Sequence, residues 1–430
     1  MYRRRRLFLS GVLVALALQL EPVAAQLRGH GGPVRALAIS DDGATALSGS
    51  FDSSAILWSL PHDSARQVLR FHDSAVNAVA LLKDGRAVTA GADARIALWT
   101  PGQSTPSTVL EGHQGPVVGL AVSPDGKTLA SASWDGTIRL WKLGGGVPVV
   151  LAGHRQNVNG VAFTPDATAV VSAGYDATVR IWPLRQPDSP VVATLPSPLN
   201  AVVVAPDGEI AAAGADGQVY FLSATGERRG ALKAVPTPII ALALSGDGAH
   251  LAAASVQGAV AIIDRRARML VRTLVGPGLP VWSLAFLPDN RTLLSGGADR
   301  VIRRWDSQSG AEIGSVVSGG AADPLAAYAD DPGARVFRGC MACHTLSAAE
   351  GNRAGPSLFG IFGRHIATLP GYNYSEPLKH LDIVWTPETL AKLFEIGPER
   401  YTPGTKMPEQ QIGSAEDRAA LIKFLQRATK

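Results

Sequence analysis

One turn recurs about every 41 residues along most of this chain, and that repeat fixes the fold class before any single residue is considered. It falls at Asp42-Gly43, Asp84-Gly85, Asp125-Gly126, Asp166-Ala167, Asp207-Gly208, Asp247-Gly248 and Asp289-Asn290. Each copy lies between short apolar runs such as Val117-Val118-Gly119-Leu120-Ala121-Val122, as a hairpin turn does. A second turn residue follows in each unit: Asp52, Asp93, Asp135, Asp176, Asp216, Gln257 and Asp299. Six residues after each stands a bulky side chain: Trp58, Trp99, Trp141, Trp182, Leu222, Ile263 and Trp305. A unit of four short strands cannot bury both faces alone. Seven copies therefore predict an all-β ring of seven blades over residues 26–317, each blade covered by its neighbours.

Gly29-His30, Gly112-His113 and Gly153-His154 carry a G-H dipeptide; Phe71-His72 keeps its histidine, and Trp305-Asp306 carries W-D. With these dipeptides the repeat resembles the WD-repeat propeller family. The resemblance implies that each blade ties a His, a Ser or Thr, its turn Asp and its Trp into one hydrogen-bonded chain. Blade one offers His30, Ser48, Asp52 and Trp58; blade two His72, Thr89, Asp93 and Trp99. Blade three offers His113, Ser131, Asp135 and Trp141; blade four His154, Ser172, Asp176 and Trp182. Ala212, Leu222, Ala253 and Ile263 replace these members in blades five and six, which should be held mainly by apolar packing. Because the histidines recur once per blade, each with its own Asp, they read as blade cohesion and not as a metal site or a nucleophilic triad. Residues 311–317 are expected to supply the outer strand of blade seven, with Leu27-Arg28 a stub.

The chain has two cysteines, and both lie in Cys340-Met341-Ala342-Cys343-His344. Thiols at C-x-x-C spacing can add across the two vinyl groups of a haem, and the adjacent His344 then falls beneath the iron. A redox dithiol or half a zinc site would use the same spacing, but the immediate His and the lack of other cysteines argue against both. Of four methionines, Met341 sits between the cysteines, whereas Met407 follows in the Pro/Gly-rich Tyr401-Thr402-Pro403-Gly404-Thr405-Lys406-Met407-Pro408. His344 and Met407 are the expected axial pair, a ligation suited to electron transfer.

These surroundings resemble a class I, mitochondrial-type cytochrome c over residues 333–430, an all-α domain. Gly333 and Phe337 match the first helix, where the glycine admits the last helix, and Leu421-Ile422-Lys423-Phe424-Leu425 matches that last helix. Gly355-Pro356 matches the pair whose Pro carbonyl accepts the proximal imidazole N–H, a bond that tunes the iron. By the same resemblance Arg364, Tyr374, Trp385 and Thr405 are expected at the haem propionates or edge. Phe394 stands where the mitochondrial proteins carry a tyrosine near the methionine sulfur. His365 and His380 match no role and read as surface residues.

Residues 1–25 read as an export signal, with Arg3 to Arg6 before an apolar run and Val23-Ala24-Ala25 before Gln26. Arg5-Arg6-Leu7-Phe8-Leu9 also matches a twin-arginine pattern, but haem attachment outside the cytoplasm favours passage unfolded. The run is short for a membrane span, which wants ~20 apolar residues, so an uncleaved anchor is the lesser reading. Removing this segment takes four Arg and one Glu from 40 basic and 36 acidic residues and leaves a net charge of +1. Such a balance points away from nucleic acid and bulk membrane as partners.

The expected organisation is thus a signal at 1–25, a propeller at 26–317, a linker at 318–332 and a haem domain at 333–430. The expected function is one-electron transfer through a single covalent haem c in a soluble protein that is periplasmic or otherwise exported, with redox partner proteins docking on the haem edge or the propeller. No catalytic residue is expected. Two alternatives stand beside this reading: an oxidoreductase whose propeller holds a second cofactor or substrate and feeds electrons to the haem, and a redox sensor.

Overall fold

The computed structural model describes residues 26–313 except 277 and, beyond 313, all but 314–324, 329, 339, 342–343, 349–351, 353–354, 373, 406 and 408–410. The expected signal, most of the expected linker and Cys343 therefore lie outside the described residues. Blade one sets the pattern. β1 (Gln26–Arg28) precedes it; β2 (Val34–Ile39), β3 (Thr45–Ser50), β4 (Ser54–Ser59) and β5 (Ser64–Arg70) then form an antiparallel sheet in chain order. Seven such four-stranded sheets follow one another among the described residues. The turns are tight because Gly43, Gly85, Gly126, Gly208 and Gly248 take φ of 68–85°, a region open to glycine. Ala167 and Asn290 adopt the same conformation at φ 55° and 56°.

Small residues fill the middle of each blade because both its faces are covered. The second strands of blades five and six, Ile210–Gly214 and His250–Ser255, are runs of alanine with almost no exposure. Larger side chains fill the gaps between blades: Trp182 packs with Ile138 and Leu151 of the blade before it. Each innermost strand carries one bulge at the same place, Val34/Ala36 in blade one and Val281/Ser283 in blade seven, which adds the bend needed near the ring axis.

The hydrogen-bonded chains form in blades one to four. Trp58, Trp99, Trp141 and Trp182 each donate Nε1–H to Ser48, Thr89, Ser131 or Ser172 at 2.7–3.0 Å. Those hydroxyls lie 2.7–2.9 Å from Nε2 of His30, His72, His113 and His154. The hydroxyl donates onward to Nε2, and the ring's Nδ1–H donates to the turn Asp at 2.8–3.0 Å. Each Asp is thereby the buried end of a relay that spans its blade. Blade five is packed mainly by apolar side chains, as expected, and adds one polar tie: the Tyr220 hydroxyl donates to the Asp216 carboxylate, and burial pushes Tyr220 up to about 12.

Ring closure differs from the expectation. β1 pairs antiparallel with the third strand of blade seven, Val301–Asp306, through Gln26↔Arg303, Leu27↔Ile302 and Arg28↔Val301. Residues 311–313 take the far end of the same edge, with Ile313 N–H donating to the Arg304 carbonyl at 2.9 Å, and residues 314–317 of the expected strand lie outside the described residues. The Gln26 amide donates to Glu312 at 2.8 Å where the two pieces meet. The outer strand is therefore a composite, because Leu27 fills an apolar slot beside Ile56 and Trp58 that a sequence-local strand would leave open.

Beyond the ring come α1 (Pro332–Phe337), α2 (Glu376–Lys379), α3 (Pro387–Ile396), α4 (Pro398–Tyr401) and α5 (Ala415–Ala428). α3 starts at a capping box between Thr386 and Thr389, and α5 at Ser414, whose hydroxyl accepts from Asp417 N–H. α5 crosses α1 at contact distance: a Cβ on Gly333 would sit 2.1 Å from the Ala420 carbonyl oxygen. Leu325 and Tyr328, which the sequence reading assigns to the linker, pack into this helical core, Tyr328 edge-on to Phe424 at 5.2 Å.

Candidate functional site

A cavity of about 560 Å³ opens among α3, α5 and the irregular segments of the helical region. That volume lies within the ~300–1,000 Å³ usual for cofactor sites. Cys340, His344, Pro356, Arg364, Tyr374, Trp385, Thr405 and Met407 all line it. Cys343 lies outside the described residues. Its apolar wall is Leu390, Leu393 and Phe394 of α3 with Leu421 and Leu425 of α5, all nearly fully buried.

His344 follows a turn closed by its N–H to the Cys340 carbonyl at 3.0 Å. Its Nδ1 lies 2.8 Å from the Pro356 carbonyl, which can only accept, so Nδ1 carries the proton and Nε2 is the unprotonated nitrogen of the ring. Gly355 permits this: a Cβ there would lie 2.4 Å from Cε1 of the ring. The arrangement suits a metal-facing imidazole. Burial pushes the Cys340 thiol up to about 11 and leaves little thiolate in the folded chain.

Met407 sits in a loop shaped by Gly404 at φ 77°, and its N–H donates to Thr405 Oγ1 at 3.2 Å. Ser375 Oγ donates to the Gly404 carbonyl at 2.7 Å and ties this loop to the 371–375 segment. Arg364 and Trp385 arrive together because Trp385 N–H donates to the Arg364 carbonyl at 2.9 Å and Gly363 N–H to the Trp385 carbonyl at 2.8 Å. Arg364 donates to the Ser357 and Phe359 carbonyls, and burial lowers its pKa. Tyr374 is pushed up by burial. His365 bonds Asp382 at 3.0 Å, and neither it nor His380 lines the cavity.

The comparisons with known proteins decide what this cavity belongs to. Residues 331–429 match the cytochrome c family, and the chain is 43% identical to cytochrome c of Stellaria longipes over 99 residues, 23% of this chain and 91% of the relative. Residues 75–319 match the IFT122 first beta-propeller family, and residues 21–59 match the WD domain, G-beta repeat. The chain belongs to two families at once, the WD-repeat propellers and the cytochromes c. Cytochrome c of Cochliobolus lunatus is likewise 43% identical over 99 residues, 23% of this chain and 91% of the relative. Cytochrome c type-1 of Ascaris suum is 38% identical over 101 residues, 23% of this chain and 88% of the relative. The cytochrome c domain implies haem-based electron transfer. Its residues fit that group: an apolar slot, an imidazole with its outer nitrogen tied, a thioether in a shaped loop and a thiol at the wall.

The WD-repeat side of the chain adds wall residues that no motif announced. Asp52, Arg70, Phe71, Asp73, Thr105 and Pro106 of the propeller line the same cavity. Tyr372 lines it too, and the only sequence signal for it was its place in the segment carrying Tyr374.

Proposed function

We propose that this chain is an exported one-electron carrier holding a single haem c through Cys340 and Cys343, with His344 and Met407 as its axial ligands. The organisation proposed with it is a signal at 1–25, a propeller at 26–317, a linker at 318–332 and the haem domain at 333–430. The reading is carried by one observation: His344 and Met407, distant in sequence, line the same apolar cavity beside Cys340. No described helix is long and apolar enough to cross a membrane.

When bound, the haem supplies a one-electron change between ferric and ferrous iron at fixed ligation. The chain's own part is to hold and to exclude. The Pro356 carbonyl orients the imidazole and makes it a better ligand. Leu390, Leu393, Phe394 and Leu421 keep water from the slot, which lowers the cost of rearranging solvent when charge changes. Arg364, Tyr374, Trp385 and Thr405 offer donors to the haem carboxylates. The propeller offers loops around a ring as a docking platform for a redox partner protein.

The test is expression with haem-attachment machinery, followed by mass and optical spectra of the denatured and native chain. One added haem that survives denaturation is expected, and a colourless chain with free thiols overturns the reading. Met407→Ala should open a coordination position and lower the potential; an unchanged spectrum and potential would remove Met407 from the iron. Electron exchange with a partner that is indifferent to substitutions across the propeller loops would dismiss the docking role.

A further inference from the structure

Two separate pieces of the propeller reach the haem cavity. Arg70, Phe71 and Asp73 come from the end of β5 and the link after it, and Thr105 and Pro106 from the link between strands Ile96–Trp99 and Thr108–Leu110. The pieces are tied together. The Gln67 side-chain amide on β5 donates to the Gln103 carbonyl at 2.6 Å, and Ser107 N–H donates to the Leu98 carbonyl at 2.8 Å, which anchors the second link to its own blade. The Arg95 guanidinium lies over the Phe71 ring at 4.6 Å, and Asp52, where the relay of blade one ends, is electrostatically coupled to Arg70. Blades one and two thus present a single shelf to the cavity.

The cytochrome meets this shelf through Tyr372, whose ring centre lies 5.2 Å from the Arg70 guanidinium carbon. Tyr372 packs edge-on to Tyr374 at 4.7 Å. From there the contacts run into the loop that carries Met407. Ser375 Oγ donates to the Gly404 carbonyl at 2.7 Å, and a Cβ on Gly404 would fall 2.7 Å from the Pro377 ring. Gly404 turns the chain at φ 77°, Thr405 N–H closes onto the Thr402 carbonyl at 3.0 Å, and Thr405 Oγ1 accepts from Met407 N–H at 3.2 Å. Tyr372, Tyr374, Ser375 and Pro377 therefore form a bridge, with the propeller at one end and the methionine loop at the other. An irregular loop lacks the repeating backbone bonds of a helix or sheet, so the contacts at its flank set how firmly it keeps its shape.

We propose that the propeller braces the axial methionine: the shelf on blades one and two seats Tyr372 and, through Ser375, Pro377 and Gly404, keeps Met407 in reach of the iron. The proposal rests on the haem reading above and goes beyond it, because it gives the ring a part in holding an iron ligand as well as a partner. Arg70 and Gln67 are positioning residues here. They act by holding other residues in place, and neither bonds to the iron.

The experiment is a titration of the full-length, haem-loaded ferric chain with imidazole, which must displace Met407 to bind and so reports how firmly the thioether is held. Arg70→Ala removes the group that faces Tyr372, and Gln67→Ala unties the two pieces of the shelf at the surface. Each is expected to tighten imidazole binding by about threefold to tenfold, because what weakens the methionine bond is returned to its competitor. Lys83→Ala, which removes the bond from Lys83 Nζ to the Pro124 carbonyl between blades two and three, should bind imidazole as the wild type does. Amide hydrogen exchange gives a second readout: the peptide carrying Thr402 to Thr405 should exchange faster in Arg70→Ala and Gln67→Ala, with the strands of blades five and six unchanged. If Arg70→Ala does not fold, Gln67→Ala carries the test. A methionine-ligated wild type whose imidazole affinity ignores these substitutions, or shifts equally in Lys83→Ala, overturns the proposal alone. A wild-type chain that takes up no haem, or takes it up without methionine ligation, overturns the functional reading and the proposal with it.

Discussion

Gly355 holds its place by what it lacks. A methyl group there would fall 2.4 Å from Cε1 and 2.7 Å from Nδ1 of His344. No rotamer of the alanine side chain relieves that contact, so either the imidazole or the Pro356 carbonyl must move. Gly355→Ala is expected to weaken the Nδ1–carbonyl bond and destabilise the loaded domain by about 1–3 kcal/mol, read by denaturant unfolding followed at the haem band. Single residues of this kind were legible in the sequence in two ways: Cys340 and His344 follow from the C-x-x-C-H spacing, and Pro356 from the resemblance to cytochrome c. Arg70 was not legible, because its place in the wall arises from two domains approaching and leaves no mark on the local pattern, whereas Tyr372 was signalled by its place in the segment carrying Tyr374. Phe394, legible only as a replaced tyrosine, proves to be part of the apolar wall of the slot.

Single blades carry their own titration. Burial lowers the pKa of His113 and His154 below the usual histidine value even though Asp135 and Asp176 pull the other way. Burial opposes ionisation of Asp135, but bonds from Thr137, Gln114 and His113 outweigh it and hold its pKa at about 2. In both cases the unfolded chain binds protons at a higher pH than the folded one. Stability is therefore complete above ~6.5 for the histidines and is lost as pH falls toward their lowered folded values. The Asp135 contribution is lost in the same direction between ~3.9 and about 2. Blades three and four should thus loosen first on acidification, seen as faster amide exchange over residues 113–182 at pH 5 than at pH 7 after correction for intrinsic rates. Equal protection at both values would count against the relays as stabilising elements. The relays themselves were implied by the resemblance to the WD-repeat propellers, with the repeat supplying the positions. The Tyr220–Asp216 tie of blade five was not, because it uses a position two residues before the one at which five blades place tryptophan.

The whole ring depends on a strand of three residues. A segment so short has too little periodicity to announce itself, which is why residues 311–317 were read as the missing edge and Leu27-Arg28 as a stub. What decides between them is burial: Leu27 is 2% exposed and seated against Ile56, Trp58 and Ile302. Leu27→Ala should cost about 2–5 kcal/mol and lower the thermal midpoint of the propeller more than any alanine substitution at 311–313. A variant that melts with the wild type would mean that the C-terminal piece alone can seal the edge. The same arrangement sets how the molecule bears load. The cytochrome continues from the residues that share the Val301–Asp306 edge with β1, and the Gln26 amide grips Glu312 at the seam. A pull on the haem-bearing end is transmitted first to this buckle, which makes the joint between first and last blades the point where tugging would unzip the molecule before any other blade feels the strain.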